Sequence, residues 1–108
     1  MNILFLCTSN LHRTRTAEDY FKYYRSSNIF KSAGLSEKYC KEFDTQLCSI
    51  ELLQWADKIY VMEDEHLKRI VSYTKEIYIS KIEVLNIADI YKYMEPALLG
   101  ELKSKVID

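Results

Sequence analysis

Breaks in the chain are scarce: two glycines and one proline occur among 108 residues. Element boundaries have to be read from the hydrophobic period, to within a few residues. No apolar run approaches the roughly 20 residues of a membrane span. The first seven residues lack the basic start, long apolar middle and small-residue cleavage site of a secretory leader, so a cytoplasmic chain with no membrane partner is expected. Cysteine is scarce too. Cys7, Cys40 and Cys48 are an odd set with no CxxC pair, which argues against a disulfide framework. His12 and His66 stand apart without the spacing of a zinc site, and neither a metal nor a cofactor is expected. A net charge of -1 and a pI near 6.1 provide no general electrostatic reason for binding nucleic acid. Repeats, low-complexity tracts and linkers are missing, and a chain of this length buries one core, so residues 1–108 are read as a single domain.

What the chain does have is an alternation of two periods. NILFL (2–6) is a continuous apolar run that suits a strand covered on both faces. Residues 14–25 place Ala17, Tyr20, Phe21 and Tyr24 on one side of a helix. NIFKSAG (28–34) reads as a short strand stopped by Gly34. Residues 49–56 read as a helix burying Ile50, Leu52, Leu53 and Trp55, and 58–62 as another buried strand ending at Met62. Residues 63–72 form a helix with Leu67, Ile70 and Val71 inward, 81–87 a fourth strand, and 96–106 a closing helix with Pro96 in its first turn. Residues 37–46 carry no period and read as an irregular loop. Strands alternating with helices on short connections predict an α/β fold with three layers: a four-stranded parallel sheet with helices on both faces. Such sheets bind ligands beyond the carboxyl ends of their strands, and the loop after the first strand lies there.

That loop is CTSNLHRT, residues 7–14: Cys7, then Thr8, Ser9, Asn10, Leu11 and His12, then Arg13 and Thr14. A cysteine between a strand end and a helix start meets backbone N–H groups and a helix dipole, both of which favour the thiolate, and the thiolate is the nucleophile. The same amides, with the planar fork of Arg13, suit a phosphate dianion. Thr14 in the first helical turn can donate its hydroxyl to sulfur, and the Asn10 side chain can pin the backbone of the loop.

Cys, five residues, Arg and then Ser or Thr, placed between a strand and a helix, resembles the phosphate-binding loop of the low-molecular-weight protein tyrosine phosphatases. TAEDYF after the loop is similar to the helix start of that family, and SAG at residues 32–34 recurs in it after the second strand. SAGLS, LLQWADKIYVMEDEH and LNIADIYKYMEPALLGELKSKV look like a compact bacterial branch, in the same order over nearly the whole chain. The resemblance implies a phosphomonoester hydrolase working through a phosphocysteine on Cys7, with Arg13 and loop residues 8–14 holding phosphate. It also implies an aspartate acid on a late loop, matched here by Asp89, with Ile90 where the family has proline and Tyr91 as a pocket residue. Its partners would be a phosphorylated protein or a small phosphomonoester. His12 stands where typical members have a second cysteine, and the tryptophan-containing segment after Ser-Ala-Gly is missing.

Plainer readings stand beside these. Asp89 could be a turn residue, with Glu95 or Asp64 as the acid in its place. With nine tyrosines in the chain, Tyr91 and Tyr93 could simply pack. His12 reads as a solvent-facing loop residue and His66 as a helix-face residue, Arg15 as a surface residue, Trp55 and Met62 as core, and Cys40 and Cys48 as inert thiols. Two other functions compete with hydrolysis. One is a phosphate- or phosphoprotein-binding module without turnover, and the other is a thiol-dependent arsenate reductase relaying through Cys40 or Cys48.

Overall fold

A computed structural model describes residues 1–25 and 27–106. Four parallel strands, β1 (Asn2–Cys7), β2 (Ile29–Gly34), β3 (Lys58–Val61) and β4 (Ile82–Val84), lie in the order β2-β1-β3-β4. Between them run α1 (Arg13–Tyr24), α2 (Glu37–Phe43), α3 (Ile50–Trp55) and α4 (Asp64–Thr74), and α5 (Pro96–Lys105) follows β4. Among the described residues no helix is long and apolar enough to cross a membrane.

The unbroken apolar run of β1 follows from its central place. Side chains alternate across a strand, so Ile3, Phe5 and Cys7 face a core built with Ala17 and Phe21 of α1 and Leu98 and Leu102 of α5. Leu4 and Leu6 face the other core, with Leu53 of α3 and Ile70 of α4. Each such side chain stabilises the fold by about 1.5–3 kcal/mol relative to exposure, and none on this strand can be polar without losing that on one face or the other. Tyr24 and Ile50, expected inward, are exposed, and Tyr20, Leu52, Trp55, Leu67 and Val71 are only partly buried: the short helices offer narrow contact stripes. Trp55 instead lies at the surface of its core with the Lys31 ammonium 4.5 Å above its ring.

The chain departs from the sequence reading most at residues 37–46, where α2 replaces the expected irregular loop. Its helical character comes from its ends. Ser36 accepts a hydrogen bond from the Tyr39 N–H at 3.2 Å, Glu37 sits in the first turn, and Asp44 closes the helix with a left-handed φ of 54°. Only Cys40 of its seven residues is buried, which is why no hydrophobic period marks it.

From β1 the chain turns to β2 on one side, and the connection after β2 carries it to β3 on the other. The carboxyl end of β1 is therefore the point at which adjacent connections part, opening a crevice. Loop 8–12 fills it by packing onto Gly34, which pairs with Cys7 in the sheet. A Cβ added to Gly34 would lie 2.5 Å from Cys40 Sγ and 2.7 Å from the Thr8 carbonyl oxygen, so the loop can approach β2 this closely only over glycine.

Candidate active site

Cys7 ends β1 with its side chain 2 % exposed. The Asn10 N–H points at its Sγ at 3.3 Å, and Thr14 Oγ1 lies 3.2 Å away. Asn10 can turn its amide inward because it adopts a left-handed φ of 57°, which asparagine tolerates better than most residues. Its side chain does not pin the backbone of its own loop, as expected from sequence. It is wholly buried, donates through Nδ2 to Thr14 Oγ1 at 2.8 Å and Ser32 Oγ at 2.9 Å, and accepts from the Gln46 N–H at 3.3 Å. Ser32 passes its own proton to Glu18. Because Thr14 Oγ1 already accepts from Asn10, its hydroxyl proton is free to point at Cys7 Sγ. Two donors then converge on sulfur, an arrangement that favours negative charge there.

Arg13, the first residue of α1, is 3 % exposed. Nη1 donates to Glu63 Oε1 and, at 2.8 Å, to the Ile87 carbonyl oxygen, while Nε lies 3.7 Å from Asp89 Oδ1. Among the described residues Nη2 has no hydrogen-bond partner, so the fork is anchored by one nitrogen and keeps another for a ligand. Asp89 sits on the loop after β4 with its side chain 68 % exposed. A cavity of about 390 Å³ is lined by Cys7, Thr8, Ser9, Leu11, His12, Arg13 and Asp89 from these elements and by Tyr39 and Phe43 from α2.

The structure thus brings Cys7, Arg13 and Asp89, 82 positions apart at the extremes, to one cavity. Asp64 and Glu95 are elsewhere: Asp64 pairs with Lys68 at 3.2 Å on α4, and Glu95 precedes α5. Tyr91 packs against the core beside α1 and α5 and does not line this cavity; the aromatic wall is Tyr39 and Phe43, whose rings stack with centroids 6.5 Å apart. His12 is half-buried on the wall, with its Nδ1 buried and without a partner among the described residues. All three cysteines are free. Cys40 lies behind the loop, 3.7 Å from the Ser9 carbonyl oxygen, and burial pushes the Cys48 thiol up to about 11.

Sequence reasoning missed Glu63 and His66. Glu63 precedes α4 and His66 is its third residue, and the two form a reciprocal cap in which the Glu63 N–H donates to His66 Nδ1 at 3.0 Å. The signal was available in MEDEH: an acidic residue three positions before a histidine, at the end of a strand next to β1. His66 is not an exposed helix-face residue but 2 % exposed, with Nε2 3.0 Å from Thr8 Oγ1. Among the described residues Glu63, Glu65 and His66 are the one group whose ligand atoms could converge on a cation, yet Glu63 and His66 are already engaged with Arg13 and Thr8.

Burial first, and then the Arg13 guanidinium, push His66 down from 6.5 to about 4; Arg69 acts in the same sense, while Glu63 and Asp89 pull against it. The unfolded chain therefore takes up this proton near pH 6.5 and the folded protein only near 4. The stability tied to neutral His66 is complete above about pH 6.5 and is lost as the pH falls towards 4. At about 1.4 kcal/mol per unit, the loss between pH 7.5 and 4.5 should be about 2–3 kcal/mol. Urea unfolding should show His66→Gln losing less stability over that interval than the parent by this amount. Equal losses would assign the acid sensitivity to other groups.

No family model matches the chain, and no curated protein matches it by sequence. Solved structures do match. Tyrosine phosphatase AmsI from Erwinia amylovora is 23% identical with a TM-score of 0.76, covering 96% of this chain and 87% of that one. Vibrio vulnificus Wzb, in complex with benzylphosphonate, is 19% identical with a TM-score of 0.72 over 94% and 89%. YwlE arginine phosphatase from Geobacillus stearothermophilus is 20% identical with a TM-score of 0.67 over 96% and 82%. At these identities the likeness is one of architecture, and over nearly its whole length the chain has the fold of the low-molecular-weight phosphatases.

Proposed function

We propose that the chain is a single-domain, cysteine-dependent phosphomonoester hydrolase of the protein tyrosine phosphatase kind, acting in the cytoplasm on a phosphorylated protein or a small phosphomonoester. The observation that carries this reading is the convergence of Cys7, Arg13 and Asp89 on one cavity, in a fold shared with phosphatases. In the first step Cys7 sulfur attacks phosphorus, the bond to the leaving oxygen breaks, and Asp89 gives that oxygen a proton. Arg13 and the amides of loop 8–14 hold the other phosphoryl oxygens, where charge accumulates. In the second step Asp89 takes a proton from water, the water oxygen bonds phosphorus, and the P–S bond breaks to release phosphate and restore the thiolate. Thr14 donates to sulfur as it departs. The stacked Tyr39 and Phe43 favour a planar aromatic leaving group, hence phosphotyrosine.

Neither Cys40 nor Cys48 lines the cavity, which weighs against arsenate reduction through a cysteine relay. Hydrolysis of para-nitrophenyl phosphate is the deciding assay: turnover is expected that survives EDTA and is inhibited by vanadate. Phosphate binding without turnover would make the chain a binding module, and thiol-dependent reduction of arsenate would make it a reductase.

A further inference from the structure

His66 has two nitrogens and both are engaged, which determines where its proton lies. A backbone N–H can only donate, so the Glu63 amide at 3.0 Å makes Nδ1 an acceptor without a proton. The proton of the neutral ring is then on Nε2, and Nε2–H donates to Thr8 Oγ1 at 3.0 Å. This leaves the Thr8 hydroxyl with a proton to donate in another direction. Thr8 is the first residue after Cys7 and lines the cavity that holds Cys7 and Arg13. We propose that the Thr8 hydroxyl is an oxyanion-binding group of the site, donating to a phosphoryl oxygen, and that His66 is the positioning residue that aims it.

This inference rests on the phosphate reading of the cavity. It adds a side-chain donor to the loop amides and ties two strand ends together: Thr8 follows β1, and the Glu63–His66 cap follows β3. The same cap holds Arg13 through Glu63, so the entry to α4 braces both side chains that would grip the anion. The low proton affinity of His66 keeps the tautomer intact across the neutral range, where an imidazolium would have no acceptor nitrogen for the Glu63 amide.

Phosphate affinity of the Cys7→Ser chain, by calorimetry, and kcat/KM of the parent on para-nitrophenyl phosphate are the two readouts. A hydrogen bond to a charged group is worth roughly 10- to 100-fold, so Thr8→Val should weaken each by that factor while Thr8→Ser stays within about threefold. His66→Asn keeps an acceptor for the Glu63 amide but is too short to reach Thr8, and it should cost a smaller factor. In a Thr8→Val background it should cost nothing more, because His66 acts only through the hydroxyl. Additive losses would overturn the positioning role. Nitrogen NMR of the unmutated protein gives a check that needs no variant: His66 should show a protonated Nε2 and a bare Nδ1, and the opposite tautomer or an imidazolium at pH 7 would overturn it. Unchanged affinity and turnover in Thr8→Val would overturn the inference and leave the phosphatase reading standing. Phosphate binding without turnover in the parent would overturn that reading while the affinities still judge Thr8. A parent that neither binds nor hydrolyses would overturn both.

Discussion

Cys7→Ser should abolish turnover, by on the order of 10⁴- to 10⁶-fold, the scale on which loss of a covalent nucleophile is felt. A serine hydroxyl in this place meets the same donors that face Sγ, the Asn10 N–H and Thr14 Oγ1. Those donors favour an anion, but no side chain hydrogen-bonded to Cys7 is a base that could remove a hydroxyl proton. The fold should survive, because the two groups differ little in size and serine's hydroxyl finds partners already in place. Phosphate binding should persist, since Arg13 and the loop amides remain. The measurement is single-turnover hydrolysis of para-nitrophenyl phosphate beside calorimetric phosphate binding. A Cys7→Ser chain within about tenfold of the parent would put the nucleophile elsewhere.

Asp89→Asn should separate substrates by their leaving groups. A phenolate such as that of phosphotyrosine departs badly without a proton, so its hydrolysis should slow by roughly 10²- to 10⁴-fold, the usual worth of a positioned general acid. Para-nitrophenolate is stable as an anion and should be slowed far less. Asp89 has the placement this requires, on the cavity wall and 3.7 Å from Arg13 Nε. Its loop is also held at both ends. Asn86 and Met94 take left-handed φ values of 56° and 59°, the Met94 N–H donates to Thr16 Oγ1 at 2.9 Å, and the Tyr93 hydroxyl donates to Asp19 at 2.6 Å. An asparagine would keep the shape of the carboxylate without its proton. Equal slowing of good and poor leaving groups would make Asp89 a turn residue only, and Glu63, already on Arg13, would be the next acid to test.

Local chemistry was the legible part. β1 and α1 announce themselves because a central strand must be apolar on both faces and an amphipathic helix on one. Cys7, Asn10, Arg13 and Thr14 lie within eight positions, so the turn between the two elements is enough to bring them together. Where a segment buries little, as α2 does through Cys40 alone, the hydrophobic period fails and only the Ser36 cap and the Asp44 turn could have marked a helix. That miss hid the aromatic wall, since Tyr39 and Phe43 point to the cavity only if residues 37–43 are helical.

The sequence by itself determined the alternation of strands and helices, the parallel sheet, and the cysteine-to-arginine loop at the carboxyl end of its first strand. Each depends on residues close together in the chain, whose period and turn chemistry act locally. Only the tertiary structure decided which distant residues meet that loop. The order β2-β1-β3-β4 sets the end of β3 beside the end of β1, which brings Glu63 to Arg13 across 50 positions and His66 to Thr8 across 58. The continuation past β4 carries Ile87 and Asp89 to the same guanidinium. No local preference encodes such meetings, because they follow from which strands pair and in what register, and that is settled by burying both faces of β1 at once.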